Sequence, residues 1–159
     1  MVGEVEVHSA DLMRGYWRDD EATARVLKAG WLRTGDLARV DEEGLLYIVD
    51  RKNDMVITGG ENVFPTEVES YLYRDPEIQE AAVFGIPDPV WVERVVAAVV
   101  LRPGSTATGE ELIRRLRVHL AAYKCPKDVF VVNQLPKSAV GKVLRKELRK
   151  HFGGDAQGH

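Results

Sequence analysis

Asp36, in the run Trp31-Leu32-Arg33-Thr34-Gly35-Asp36, offers a carboxylate with enough acceptor sites to take two vicinal hydroxyls at once. Arg51 opens the charged run Arg51-Lys52-Asn53-Asp54, and its guanidinium fork suits paired oxygens. Gly59-Gly60 follows a short apolar stretch and has the composition of a tight hairpin turn. Near the C-terminus, Lys137, Lys142, Arg145, Lys146, Arg149 and Lys150 stand against a lone Glu147. Each feature alone has a plainer explanation: a surface-turn aspartate, an exposed salt-bridge arginine, a hairpin, and a solvated basic helix face. Their order and spacing along one chain argue for more.

The elements that must position these residues fall into two groups. Val5 and Val7 alternate with Glu4, Glu6 and His8, which predicts a strand with one wet face. Asp19 or Asp20 can cap a helix running through Ala29, with Gly30 placed to stop it. A loop over Trp31–Asp36 and short strands around Leu37–Val40 and Leu45–Val49 follow, joined by the turn Asp41-Glu42-Glu43-Gly44. This first stretch is thinly apolar and reads as a piece of a larger domain.

From Arg51 the pattern becomes a self-contained α+β unit. The Gly59-Gly60 hairpin leads to a helix from Pro65 to about Tyr73, with Thr66 and Glu69 at capping-box spacing. Ala81–Ile86 and Val95–Leu101 are almost wholly apolar, as central strands covered on both faces would be. Leu112, Leu116 and Leu120 predict a helix from about Thr108, and Val129–Val132 another strand. Leu144, Leu148 and Phe152 mark the inner face of a last helix, with fraying expected from Gly153 onward.

Composition sets limits on function. The chain has 159 residues, 45% of them hydrophobic and 30% charged, which suits a globular protein with one buried core. A formal net charge of −3 argues against a generally basic nucleic-acid binder, and no aromatic-interleaved RNA-binding motif or helix-turn-helix spacing is present. The longest apolar run, Val95 to Leu101, is far too short to span a bilayer. The single Cys125 excludes an internal disulfide and a cysteine-based metal site. A reducing cytoplasm is the default location, and no signal peptide is expected.

The stretch from Asp50 to Glu69, with Asp50-Arg51-Lys52-Asn53-Asp54 and Thr58-Gly59-Gly60-Glu61-Asn62-Val63-Phe64-Pro65 inside it, decides the reading. It resembles, nearly residue for residue, the hinge-and-hairpin motif of the AMP-forming acyl-CoA synthetases, the adenylate-forming enzyme family. The resemblance extends from about Gly3 to Phe152. It implies an α+β fold in three parts: a β-rich remnant of a large N-terminal domain over residues 1–50, a mobile C-terminal lid with a short central sheet flanked by helices over 51–152, and a tail over 153–159.

The same resemblance assigns roles. Asp36 corresponds to the carboxylate that holds the nucleotide ribose, and Arg51 to the arginine that contacts ribose or phosphate oxygens. Asn53 stands at the hinge, where relatives usually carry Asp or Lys; asparagine tolerates unusual backbone angles. Gly59, Gly60, Glu61 and Asn62 form the loop that swings in for thioester formation, in a form closer to fatty-acyl and aryl-CoA ligases than to carrier-loading adenylation domains. Leu135-Pro136-Lys137 and Gly141-Lys142 match the final motif, which makes Lys142 the catalytic lysine of adenylation. Trp91 and Tyr123 fall where some relatives contact CoA, although lid packing explains them equally well. ATP, CoA and a carboxylic acid are the implied ligands, with Mg2+ carried mainly through ATP and the missing N-terminal domain.

The family's phosphate loop and the walls of its acid pocket are absent from the sequence. The chain alone is therefore expected to make no acyl-adenylate. Two alternatives remain open: an adenylation domain that loads a carrier-protein thiol, and a standalone lid that binds CoA or a nucleotide without catalysis. Acid chain length and oligomeric state are not encoded in these residues.

Overall fold

The valine–glutamate alternation at the start of the chain forms β1 (Val2–His8) in the computed structural model, which describes residues 1–154. The chain divides into two units, Met1–Asn53 and the part from Asp54 onward. Each has its own sheet. Of the tail expected over 153–159, residues 155–159 lie outside the described residues.

In the first unit β3 (Trp31–Val40) pairs antiparallel with β1, with β2 (Leu27–Lys28) and with β4 (Leu46–Arg51). The helix is shorter than the sequence predicts: α1 covers Asp20–Val26, capped by Asp19, whose Oδ1 accepts from the Ala22 amide at 2.8 Å. It ends early because Leu27 and Lys28 pair back on Leu32 and Trp31 through the Ala29-Gly30 turn. Gly30 thus serves a hairpin, not a helix end. The same pairing makes the expected loop over Trp31–Asp36 the first half of a strand. Leu37 and Ala38 are buried, whereas Val40, Leu45, Leu46, Tyr47 and Ile48 are 42–59% exposed.

The second unit is α+β. Its elements are β5 (Val56–Thr58), β6 (Glu61–Val63), α2 (Pro65–Leu72), β7 (Ile78–Asp88), β8 (Val92–Leu101), α3 (Gly109–Leu116), β9 (Asp128–Val131) and α4 (Arg145–Gly153). The sheet order is β6-β5-β8-β7, with β9 parallel to β8 and the other pairs antiparallel. Side chains alternate across a strand, so each apolar run feeds two cores. Val83, Val95, Ala97 and Val99 meet Val68, Leu72, Leu112 and Leu116 on one face. Ala82, Phe84, Ile86, Val96 and Ala98 meet Leu148 on the other. The expectation of strands covered on both faces holds.

Helix ends depart from the sequence pattern in three places. The N-cap of α2 is Phe64, which makes no side-chain cap bond, so Thr66 and Glu69 do not form a capping box. Glu69 is drawn instead to the edge of β7, where its Oε1 accepts from the Val83 amide at 2.8 Å. Leu120 is buried as expected, but α3 has already ended at Leu116, and a further turn carries Leu120 inward. Leu144 is the N-cap of α4, and Gly153 is still helical.

Ala81 and the Val83 carbonyl, on the same edge of β7, are also met by side chains. The Tyr73 hydroxyl lies 3.2 Å from both the N and the O of Ala81, and Arg145 Nε donates to Val83 O at 3.2 Å. At α3 the capping box is complete: Thr108 Oγ1 accepts from the Glu111 amide, and the Glu111 carboxylate accepts from the Thr108 amide. Thr108→Ala is expected to cost about 1 kcal/mol. Urea denaturation would read this as a lower midpoint at unchanged slope.

Candidate functional site

Strand register brings Asp36 and Arg51 together. They are opposite partners on β3 and β4, and Arg51 Nε lies 2.7 Å from Asp36 Oδ1. The backbone under them is fixed by Lys52 N donating to Gly35 O at 2.8 Å and Asp36 N donating to Thr34 Oγ1 at 3.1 Å. Thr34 Oγ1 in turn donates to Val5 O at 3.0 Å, tying the site to β1. The result is a carboxylate and a guanidinium side by side on rigid strands. An exposed ion pair of this kind is worth at most about 1 kcal/mol, so an oxygen-rich ligand can take over either partner. The pair fits a sugar diol next to a phosphate. Asn53 follows in an exposed turn at the end of the first unit.

The Gly59-Gly60 hairpin joins β5 to β6, with Thr58 opposite Glu61. Both glycines have positive φ, 58° and 84°, as the commonest two-residue hairpin turn requires. Glu61 and Asn62 are exposed beside them. Trp91 is brought to this hairpin: Gly59 N donates to Trp91 O at 3.0 Å. A side chain at Gly59 would put its Cβ 2.8 Å from the indole ring. Trp91 is 46% exposed, and Lys127 Nζ lies 5.6 Å from the centre of its ring. Next to it Val92 has φ of 71°, a conformation a β-branched residue adopts only under strain. Tyr123 lies on the turn after α3, 40% exposed, 5.8 Å from the ammonium of Lys124, which Glu67 holds at 2.7 Å.

Asp88 holds the Trp91 turn. Its Oδ1 accepts from the amides of Trp91 and Val90 at 2.9 and 2.8 Å. These two bonds keep its carboxyl below the ordinary aspartate range. The carboxyl is lowered in the folded state, so its contribution is present above the unfolded value of about 3.9 and fades as pH falls through the lower folded value. With Trp17 and Trp31 replaced by Phe, Trp91 emission is expected to shift on acidification below about pH 4. Asp88→Asn should shift it already at neutral pH.

Lys142 sits on a separate turn. Ser138 N donates to Lys142 O at 2.8 Å, Lys142 N to Ser138 Oγ at 3.2 Å, and Gly141 N to Ser138 O at 2.9 Å. Lys137 and Val143 bridge its base. The side chain is exposed, and among the described residues its ammonium has no ion-pair partner. This turn lies at the Glu80 end of β7, because Lys137 Nζ bonds Glu80 Oε1 at 2.8 Å. The glycine hairpin lies at the other end, where Thr58 pairs with Val92 and Val92 with Asp88. At about 3.4 Å per residue, Glu80 and Asp88 are on the order of 25 Å apart. One rigid sheet therefore carries the lysine at one end and the hairpin at the other.

The family described as the AMP-binding enzyme C-terminal domain matches residues 67–142. The chain resembles that domain over this stretch. The feruloyl-CoA synthase of Amycolatopsis is 48% identical over 151 residues, which are 95% of this chain and 31% of that protein. The long-chain-fatty-acid–CoA ligase of Bacillus subtilis is 50% identical over 146 residues, 92% of this chain and 26% of the ligase. The ATP-bound structure of MatB from Rhodopseudomonas palustris superposes with a TM-score of 0.91 at 37% identity, covering 99% of this chain and 31% of MatB. The chain thus spans about a third of the length of the relatives it matches.

Asp54, Glu69 and Arg145, to which the sequence pattern gave no site role, come together in the second unit. Arg145 Nη2 bonds Glu69 at 2.6 Å, and its Nη1 lies 3.5 Å from Asp54. Arg145 had looked like one more solvated cation. The signal for it was the Arg145–Arg149 spacing of four, which sets both on one helix face, and both reach Asp54. Among the described residues no group of three or more His, Cys, Asp or Glu converges as a metal cluster. No helix among them is long and apolar enough to cross a membrane.

Proposed function

We propose that this chain is the C-terminal part of an ATP-dependent ligase that joins a carboxylic acid, of the fatty or aryl class, to CoA through an acyl-AMP intermediate. One observation carries the reading: Lys142 and the glycine hairpin sit at opposite ends of one sheet, so a single lid can serve two half-reactions only by turning. Asp36 accepts from the ribose hydroxyls and Arg51 donates to the ribose–phosphate oxygens. Lys142 donates to oxygens of the α-phosphate and carboxylate as pyrophosphate leaves, where a positioned ammonium lowers the barrier. After rotation about Asn53, the Gly59–Asn62 turn lines the path of the CoA thiol, which needs a backbone with no side chain in the way. Mg2+ would arrive with the ATP phosphates and offset their charge.

The first unit supports a larger parent. Its exposed apolar strip on β4 has the character of a surface that packs on another body. In that reading the phosphate loop and acid pocket belong to the preceding domain, the chain by itself makes no acyl-adenylate, and the reaction takes place in the cytoplasm. Mass spectrometry of the native polypeptide tests this: a species several times heavier than 17.8 kDa is expected. A native species of that mass would leave a free-standing module, and tight CoA binding by it would favour a non-catalytic role. Offering the parent CoA and a carrier protein side by side, with the fatty or aryl acid, decides the acceptor. Thioester on CoA is expected, and transfer to the carrier alone would replace this reading.

A further inference from the structure

Arg145 stands at the first position of α4, where a cation works against the helix dipole. Helix stability does not explain it there. Its side chain, only 20% exposed, makes contacts on two elements and a turn instead. Nη2 is 2.6 Å from Glu69 on α2, Nε donates to Val83 O on the edge of β7, and Nη1 is 3.5 Å from Asp54, the first residue of the second unit. Glu69 closes the ring by accepting from the Val83 amide through the same Oε1. Arg149, one turn along α4, reaches Asp54 as well, with Nη2 3.6 Å from the carboxylate and 3.4 Å from its carbonyl oxygen.

The turn that bears Lys142 ends where this network begins. Its base is the Lys137–Val143 bridge and the bond from Leu144 N to Pro136 O at 2.8 Å, and Arg145 is the next residue. The Lys142 side chain itself is exposed. The orientation of its backbone is therefore set by what fixes the residues behind it. On the other side of the network, Asp54 directly follows Asn53.

We infer that Arg145 is a positioning residue: through Glu69, Val83 and Asp54 it locks the Lys142 turn to the lid sheet and to the residue next to the hinge. This rests on the ligase reading above. A hinge rotation moves Lys142 accurately only if the turn cannot swivel on the lid. A displacement of about 1 Å at a catalytic group can cost roughly 100-fold in rate. The hairpin at Gly59 is supported separately, through Trp91 and Asp88, so loosening Arg145 leaves it in place.

The experiment measures the two half-reactions separately in the full-length ligase, with Arg145→Ala, Arg145→Lys, Glu69→Gln and Asp54→Asn beside Lys142→Ala. ATP–pyrophosphate exchange reads adenylation, and CoA with synthetic acyl-adenylate reads thioester formation. Arg145→Ala and Glu69→Gln are expected to lower kcat of exchange by up to about 100-fold with KM for ATP nearly unchanged, and to leave thioester formation within a few-fold. Arg145→Lys, which keeps the charge but loses the fork, should fall in between. Asp54→Asn keeps the shape of the site and should show the same split, so the test survives if Arg145→Ala does not fold. Equal loss of both half-reactions would mean a merely structural role and would overturn the inference. So would full exchange activity in Glu69→Gln and Asp54→Asn while Lys142→Ala is dead. If Lys142→Ala itself retains exchange, the ligase reading fails and not the positioning argument alone.

Discussion

In the full-length ligase proposed above, Lys142→Ala should slow acyl-adenylate formation about 100- to 1000-fold and spare thioester formation from supplied acyl-adenylate. The asymmetry follows from placement. Lys142 stands at the Glu80 end of the β7–β8 ladder and the Gly59-Gly60 hairpin at its Asp88 end, so the two cannot act at one place in one orientation. The substitution removes an exposed ammonium that has no ion-pair partner among the described residues, which leaves folding almost untouched. Stopped-flow release of pyrophosphate and a separate assay with acyl-adenylate and CoA read the two steps. Equal loss in both would refute the division of labour between the lysine and the hairpin.

Phe84→Ala is expected to destabilise the second unit by about 3–5 kcal/mol. Phe84 is fully buried on β7, 6.1 Å from the Phe152 ring, which stacks on Phe130 at 4.2 Å. These rings seat α4 on the sheet together with Leu148. A cavity there strips α4 of its main apolar contact. Urea denaturation followed by far-UV circular dichroism would show a large fall in midpoint at constant slope. A loss under about 1 kcal/mol would mean that the site collapses to fill the space.

Apolar runs and turn residues made most of the second unit legible. Ala81–Ile86 and Val95–Leu101 had no polar alternation, and both became strands buried on two faces. The Gly59-Gly60 pair and the Thr108–Glu111 cap also formed as their local chemistry dictates. The misses share a cause, which is competition from partners remote in sequence. The helix expected through Ala29 lost its last turn to pairing with β3, a strand whose Gly35 and Asp36 look like loop residues. Glu69 had the right spacing for a helix cap but was claimed by Val83 and Arg145. At the candidate site, Asp36 and Arg51 were singled out by motif alone. Their 2.7 Å contact depends on the β3–β4 register, which crosses a bulge between Leu37 and Ala38 that no local pattern announces.

The outer edge of β7 carries a consequence for solubility. An open strand edge is a template on which another chain can add a strand, and repeated addition leads to aggregates. Here Tyr73, Glu69 and Arg145 occupy the hydrogen-bonding groups of Ala81 and Val83 with side chains. If the second unit is the rotating lid proposed above, a neighbouring strand could not cover that edge, since a paired strand would have to peel away. Side-chain plugs would travel with such a lid and keep the Ala81 and Val83 positions closed to strand addition in every orientation.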